Sequence, residues 1–264
     1  MGKIISTYQQ IIQTEIECVF QAIREASEEN YYLLLAKAED TAKDKRLNAG
    51  LVFESNLDEK VDQTRLNFCM QYLNFMYQKY SSDYSGDCGL SRLNIELFIY
   101  MQLWESLPFL KLLYRMAHAI EEYPWQVDVP DGKYHFIIND VCRSLEKRGF
   151  GMAQIIRNSY SSYLRNTVAH SLYYIVEGTR EIMLYDKNSI KKGTKRIMPL
   201  LSFQNKFLQS CCLSFQLFNY LENSRLNYAK ELCGNPIKIH LPNGNEIEAT
   251  ARLQGERTCF IQIK

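Results

Sequence analysis

Most of this 264-residue chain repeats with the period of the α-helix, and that periodicity restricts the possible folds more than any other feature. Across residues 6–46, Ile12, Ile16, Val19, Phe20 and Ile23 recur at three- and four-residue spacing among Glu, Gln and Lys. Such a stripe buries one side of a helix and leaves the other to water. Residues 57–80 carry the pattern on through Leu66, Cys69, Met70, Leu73 and Met76. Residues 91–122 are helical and strongly apolar, with Pro108 expected to kink or divide them. A loop over 124–132 precedes a helix at 134–147, and one further helix starts at Met152 and runs to His170.

After His170 the period changes from helix to strand. Residues 172–176 and 180–185 alternate around Glu177-Gly178-Thr179, which reads as a short β-hairpin. A basic loop from Lys187 to Arg196 is stopped by Pro199, and 201–232 is helical again. Beyond Gly234-Asn235-Pro236 the alternation returns, with turns at Asn243-Gly244 and Gln254-Gly255, so 236–264 is predicted as a three-stranded meander. The expected fold is therefore mainly α: a helical bundle with a short β-hairpin and a small C-terminal antiparallel β-meander. The turn-rich stretch 81–89 divides it into an N-terminal helical region (1–88), a helical domain (89–233) and the meander (234–264).

Charge and composition narrow the function. A formal net charge of +1 excludes coating of nucleic acid by the whole surface and leaves room only for a local basic site. No apolar run approaches the 18 residues a membrane span needs, so no membrane contact is expected. Eight cysteines without a C-x-x-C pair, behind a polar N-terminus, point to a reducing cytoplasmic setting. No phosphate-binding glycine loop or nucleophile elbow occurs, and His135 and His240 lack metal-ligand spacing. Neither cofactor nor metal is expected. Arg115 and His118 stand at i, i+3 on an apolar helix, where His118 reads as a packed core histidine.

The chemistry gathers in Arg165-Asn166-Thr167-Val168-Ala169-His170. Leu164, Val168 and Leu172 follow one apolar face, and Asn166 and His170 lie together on another. Arg165 sits about 140° from His170 around an ideal helix, within reach of the same opening through its long side chain. An Arg beside a His of near-neutral pKa is the minimum equipment for moving a proton next to a phosphate while holding its negative charge. Arg157, two turns before Arg165, is a candidate second phosphate contact if the helix is continuous. Lys187, Lys191, Lys192, Lys195 and Arg196 would steer an RNA backbone, and Tyr173 or Tyr174 would stack on bases.

The string Arg-Asn-x-x-x-His, followed by a Tyr-containing hairpin and another helix, resembles the HEPN superfamily of helical ribonucleases and RNA-binding domains. The resemblance covers about residues 90–232. It implies a metal-independent endoribonuclease of a defence or toxin type, with Arg165, Asn166 and His170 as its motif. Such cleavage needs a base for the 2′-hydroxyl proton, an acid for the leaving 5′-oxygen and positive charge at the phosphate. The resemblance thus implies that His170 would be the base or acid, Arg165 would hold the phosphate, and Asn166 would orient the imidazole or the phosphate. It also implies a homodimer in which two motifs share one cleft, with an RNA substrate and a regulatory or antitoxin protein as partners. The alternative is a non-catalytic HEPN-like module that binds RNA or protein. Some HEPN toxins carry a modifiable Tyr two residues after the His; Leu172 stands there in this chain.

Overall fold

The computed structural model describes residues 2–35, 56–79, 86–121, 134–176, 178–185, 195–232, 234–240, 244–254 and 257–262. The fold is mainly helical, with two small antiparallel sheets. Helix α1 (Gly2–Ala26) ends at Ser27, whose hydroxyl accepts the Asn30 N–H at 3.1 Å and so starts a new helix, α2 (Glu28–Leu35). The single helix expected from residue 6 is therefore two, and its predicted continuation over 36–46 lies outside the described residues. Helix α3 (Asn56–Lys79) buries Leu66, Cys69 and Leu73 as its apolar stripe requires.

The expected break at 81–89 is shorter than its composition suggests. Residues 80–85 lie outside the described residues, and from Gly86 the chain is already helical in α4 (Gly86–Trp104). Pro108 divides the next stretch as predicted. Ser106 caps α5 (Leu107–His118), and the proline falls in its first turn, where the missing N–H costs nothing. The loop expected over 124–132 lies outside the described residues. Helix α6 (Tyr134–Lys147) then leads through Gly149, at φ +77°, to α7 (Met152–Ser159). No side chain of its own caps α7. Instead Glu15 of α1 accepts the Met152 N–H at 3.0 Å, and a Cβ on Gly151 would meet that carboxylate at 2.7 Å.

Helix α8 (Ser162–Ala169) is separate from α7, and the first sheet follows it. Strands β1 (Tyr173–Val176), β2 (Glu181–Leu184) and β3 (Arg196–Pro199) pair antiparallel in that order. The hairpin is as expected, but the end of the anticipated basic loop is a third strand. Pro199 is compatible with a strand here because β3 is an edge strand among the described residues, paired with β2.

Helix α9 (Leu200–Leu232) is 33 residues, roughly 50 Å, and forms the spine of the molecule. It runs parallel to α1, with contacts from Tyr8 to Asn205, Phe20 to Tyr220 and Arg24 to Glu231. It also packs against α2, α3, α4, α7 and β3. One continuous apolar core joins these helices, with Trp104, Tyr32, Tyr100, Phe203 and Phe207 among its largest members. The meander is formed by β4 (Pro236–His240), β5 (Glu246–Gln254) and β6 (Arg257–Gln262), which pair in sequence; β4 lies against α2 and the other two against α9. No described helix is long and apolar enough to cross a membrane.

Candidate functional site

The motif begins at a helix break that holds it in place. Tyr160 ends α7 at φ −85°, ψ 142°, and Ser161 opens α8 at φ −147°, ψ 108°, its hydroxyl accepting the Leu164 N–H. Two extended residues leave backbone groups that need partners inside the protein. The buried Tyr100 hydroxyl supplies both: it donates to the Ser159 carbonyl at 3.0 Å and accepts the Ser161 N–H at 2.8 Å. Burial raises the pKa of that phenol, so it stays a neutral donor. Ser210 adds a second bond to the Ser159 carbonyl and accepts from the Trp104 indole.

Because the helix is broken, Arg157 and Arg165 do not share a face. Arg157 forms a bidentate pair with Glu146 of α6, at 2.6 and 2.9 Å, which corrects the expectation of a second phosphate contact along one continuous helix. Its fork is occupied by a carboxylate at the surface.

Arg165 turns inward. Its Nη1 donates to Glu105, in the turn between α4 and α5, and its guanidinium lies 5.1 Å from the centre of the Tyr134 ring at the start of α6. Its Nε has no hydrogen-bond partner among the described residues. Tyr160 lies close enough for the guanidinium charge to offset part of the pKa rise that burial imposes on its hydroxyl. Arg165 thus ties α8 to two other elements, and its side chain is only 11% exposed.

His170 turns outward, together with Asn166. Helix α8 closes on it with a two-bond C-terminal motif: Leu172 N–H to Thr167 C=O at 2.9 Å and Ser171 N–H to Val168 C=O at 3.0 Å. Ser171 takes the left-handed position at φ +54°, usually held by glycine. The imidazole itself makes no hydrogen bond or ion pair among the described residues and is open to solvent. The structure therefore brings Asn166 and His170 together and separates Arg165 from them.

The remaining candidates are dispersed. Tyr173 packs inward and its hydroxyl donates to Asn94 of α4 at 2.8 Å, so it does not offer a free stacking face. Tyr174 is exposed instead and stacks on Tyr185, with ring centres 6.0 Å apart. Arg196 lies over the Tyr163 ring at 4.1 Å. Lys187, Lys191 and Lys192 lie outside the described residues. Arg115 is buried, whereas His118, expected as a packed core histidine, is only part-buried and pairs with Asp140 at 3.1 Å. Among the described residues no group of three His, Cys, Asp or Glu is placed to hold a metal. Glu105, Tyr134 and Tyr100 escaped sequence reasoning because each lies 30 or more residues from the motif, with no local pattern pointing to it. Tyr185 was within reach, since strand alternation puts it beside Tyr174.

Comparison with protein-family models, with curated proteins and with solved structures finds no match for this chain.

Proposed function

We propose that the chain is an HEPN-type, metal-independent endoribonuclease whose proton-transfer group is His170, assisted by Asn166. The observation that carries this reading is the exposed imidazole at the end of α8, without a partner among the described residues, one helical turn from Asn166 on a helix anchored by Arg165 and Tyr100. The 2′-hydroxyl of RNA would attack the adjacent phosphorus and expel the 5′-oxygen. The base takes the first proton and the acid returns one to the leaving oxygen, giving a 2′,3′-cyclic phosphate and a 5′-hydroxyl. One imidazole does not fill both roles in a single step, so a homodimer presenting two copies of His170 to one RNA strand completes the site. A regulatory or antitoxin protein would act by covering it. Arg165 takes a positioning role here, because its side chain is only 11% exposed and its Nη1 is held by Glu105.

The burial of Arg165 favours a second reading, a non-catalytic HEPN-like module that binds RNA or protein. One experiment separates the two. Labelled RNA is incubated with the full chain in EDTA, beside His170→Ala and Asn166→Ala, and the ends are analysed. The nuclease reading expects cyclic-phosphate ends from wild type and a loss of about 100-fold or more in His170→Ala. Equal cleavage by wild type and His170→Ala refutes it. RNA binding without cleavage by any form establishes the module.

A further inference from the structure

Strand alternation sorts the side chains of the first sheet onto two faces. Tyr173, Leu184 and Arg196 stand opposite one another and share the inner face, where Tyr173 meets Asn94 and Arg196 covers Tyr163. Tyr174, Met183 and Ile197 share the outer face, and one step further along the same register come Tyr185 and Lys195. Tyr174 is 49% exposed on edge strand β1, and its ring lies within 23° of parallel to that of Tyr185. Lys195 is exposed, one residue before Arg196 and so on the outer side of the sheet by strand alternation. The aromatic pair is fixed to the helix that carries His170: Tyr185 donates its N–H to Leu172 at 2.9 Å and its carbonyl accepts from the Thr167 hydroxyl at 3.3 Å.

We infer that Tyr174, Tyr185 and Lys195 form a base-stacking subsite for single-stranded RNA, set against the His170 end of α8. The inference rests on the RNA reading above and specifies the strand that reading needs. A flat phenol ring open on one side takes the π-face of a base of any sequence, and a lysine on the same face meets the adjoining phosphate. A duplex hides its base faces and would not use such a platform. Ile197, 49% exposed, stands on the same face, and it is the aromatic pair with the lysine, able to meet a base and its phosphate together, that favours RNA over an apolar partner. Glu181, the acidic side chain on this face of the described strands, stands at the far end of β2, two positions beyond Met183.

The test uses the full chain and a short fluorescent oligoadenylate whose 2′-hydroxyls are blocked, so that binding is read without cleavage. Tyr174→Leu and Tyr185→Leu should each weaken binding by about 5- to 100-fold, while Tyr174→Phe stays near wild type. Lys195→Gln should lower the slope of log affinity against log salt by about 0.7. Circular dichroism establishes that each variant is folded. Unchanged affinity in a folded Tyr174→Leu overturns the subsite, as does failure of wild type to bind the strand. A Tyr174→Leu variant that loses dimerisation but binds RNA normally also overturns it, and identifies the face as a self-interface. Wild type that binds the blocked strand but cleaves no ordinary RNA refutes the nuclease and leaves the subsite standing; cleavage with tyrosine-independent binding does the reverse.

Discussion

Arg165 and His170 stand five residues apart in one short helix, yet their surroundings give them different work. Arg165 is a nearly buried cation whose charge is met by Glu105 and by the Tyr134 ring. Removing it leaves Glu105 unpaired, though that carboxylate keeps 31% of its side-chain surface in water. Arg165→Ala should therefore lower unfolding free energy by about 2–3 kcal/mol, below the full cost of breaking a completely buried pair. His170→Ala removes an exposed side chain that has no partner among the described residues and should stay within about 0.5 kcal/mol of wild type. Urea denaturation checks both, and an Arg165→Ala variant as stable as wild type would remove the positioning role. The residue types of the motif and its helical register were legible in the sequence. The inward turn of Arg165 was not, because its partners lie 31 and 60 residues away and carry no pattern that marks them.

At the scale of elements, the sequence was most readable where a local signal exists and least readable where a distant group does the work. Pro108 and Ser106 announce a helix start; a proline stopping the basic stretch at 199 suggests a loop and hides an edge strand. The division of α7 from α8 has neither glycine nor proline to mark it, and Ser161 lacks the acidic residue three positions on that would complete a capping box. What makes the break tolerable is one phenol from α4. Tyr100→Phe keeps the ring and deletes the hydroxyl, leaving the Ser161 N–H without its buried partner. Its cost should be about 1–3 kcal/mol. Thermal and urea unfolding measure it, and a neutral effect would mean that another group holds the break open.

At the scale of the molecule, α9 gathers the helices around one core and also receives the meander. A second attachment is polar. Glu29 of α2 accepts both the His240 N–H, at 2.7 Å, and its imidazole Nδ1, at 2.8 Å, while Glu246 pairs with the other imidazole nitrogen and with Lys238. The hydrogen bond to Glu29 leads the causes that raise the pKa of His240, and the bond from Lys238 leads those that lower that of Glu246. A raised histidine contributes fully below its ordinary value of 6.5 and loses its contribution as pH rises through the raised value. A lowered carboxylate contributes above its ordinary 4.5 and fades as pH falls through the lowered value. The stability difference between wild type and His240→Gln should thus be largest between about pH 4.5 and 6.5 and shrink at alkaline pH; a pH-independent difference would rule out the imidazole as the latch. By itself the sequence determined that the chain is mainly helical and that a hairpin and a C-terminal meander follow His170, because periodicity acts locally. Only the tertiary structure decided that Arg165 is an internal tie, that Arg157 is occupied, and that Tyr174 rather than Tyr173 faces water. Those outcomes depend on which distant carboxylate, phenol or amide packs against each group, and burial makes such partnerships binding.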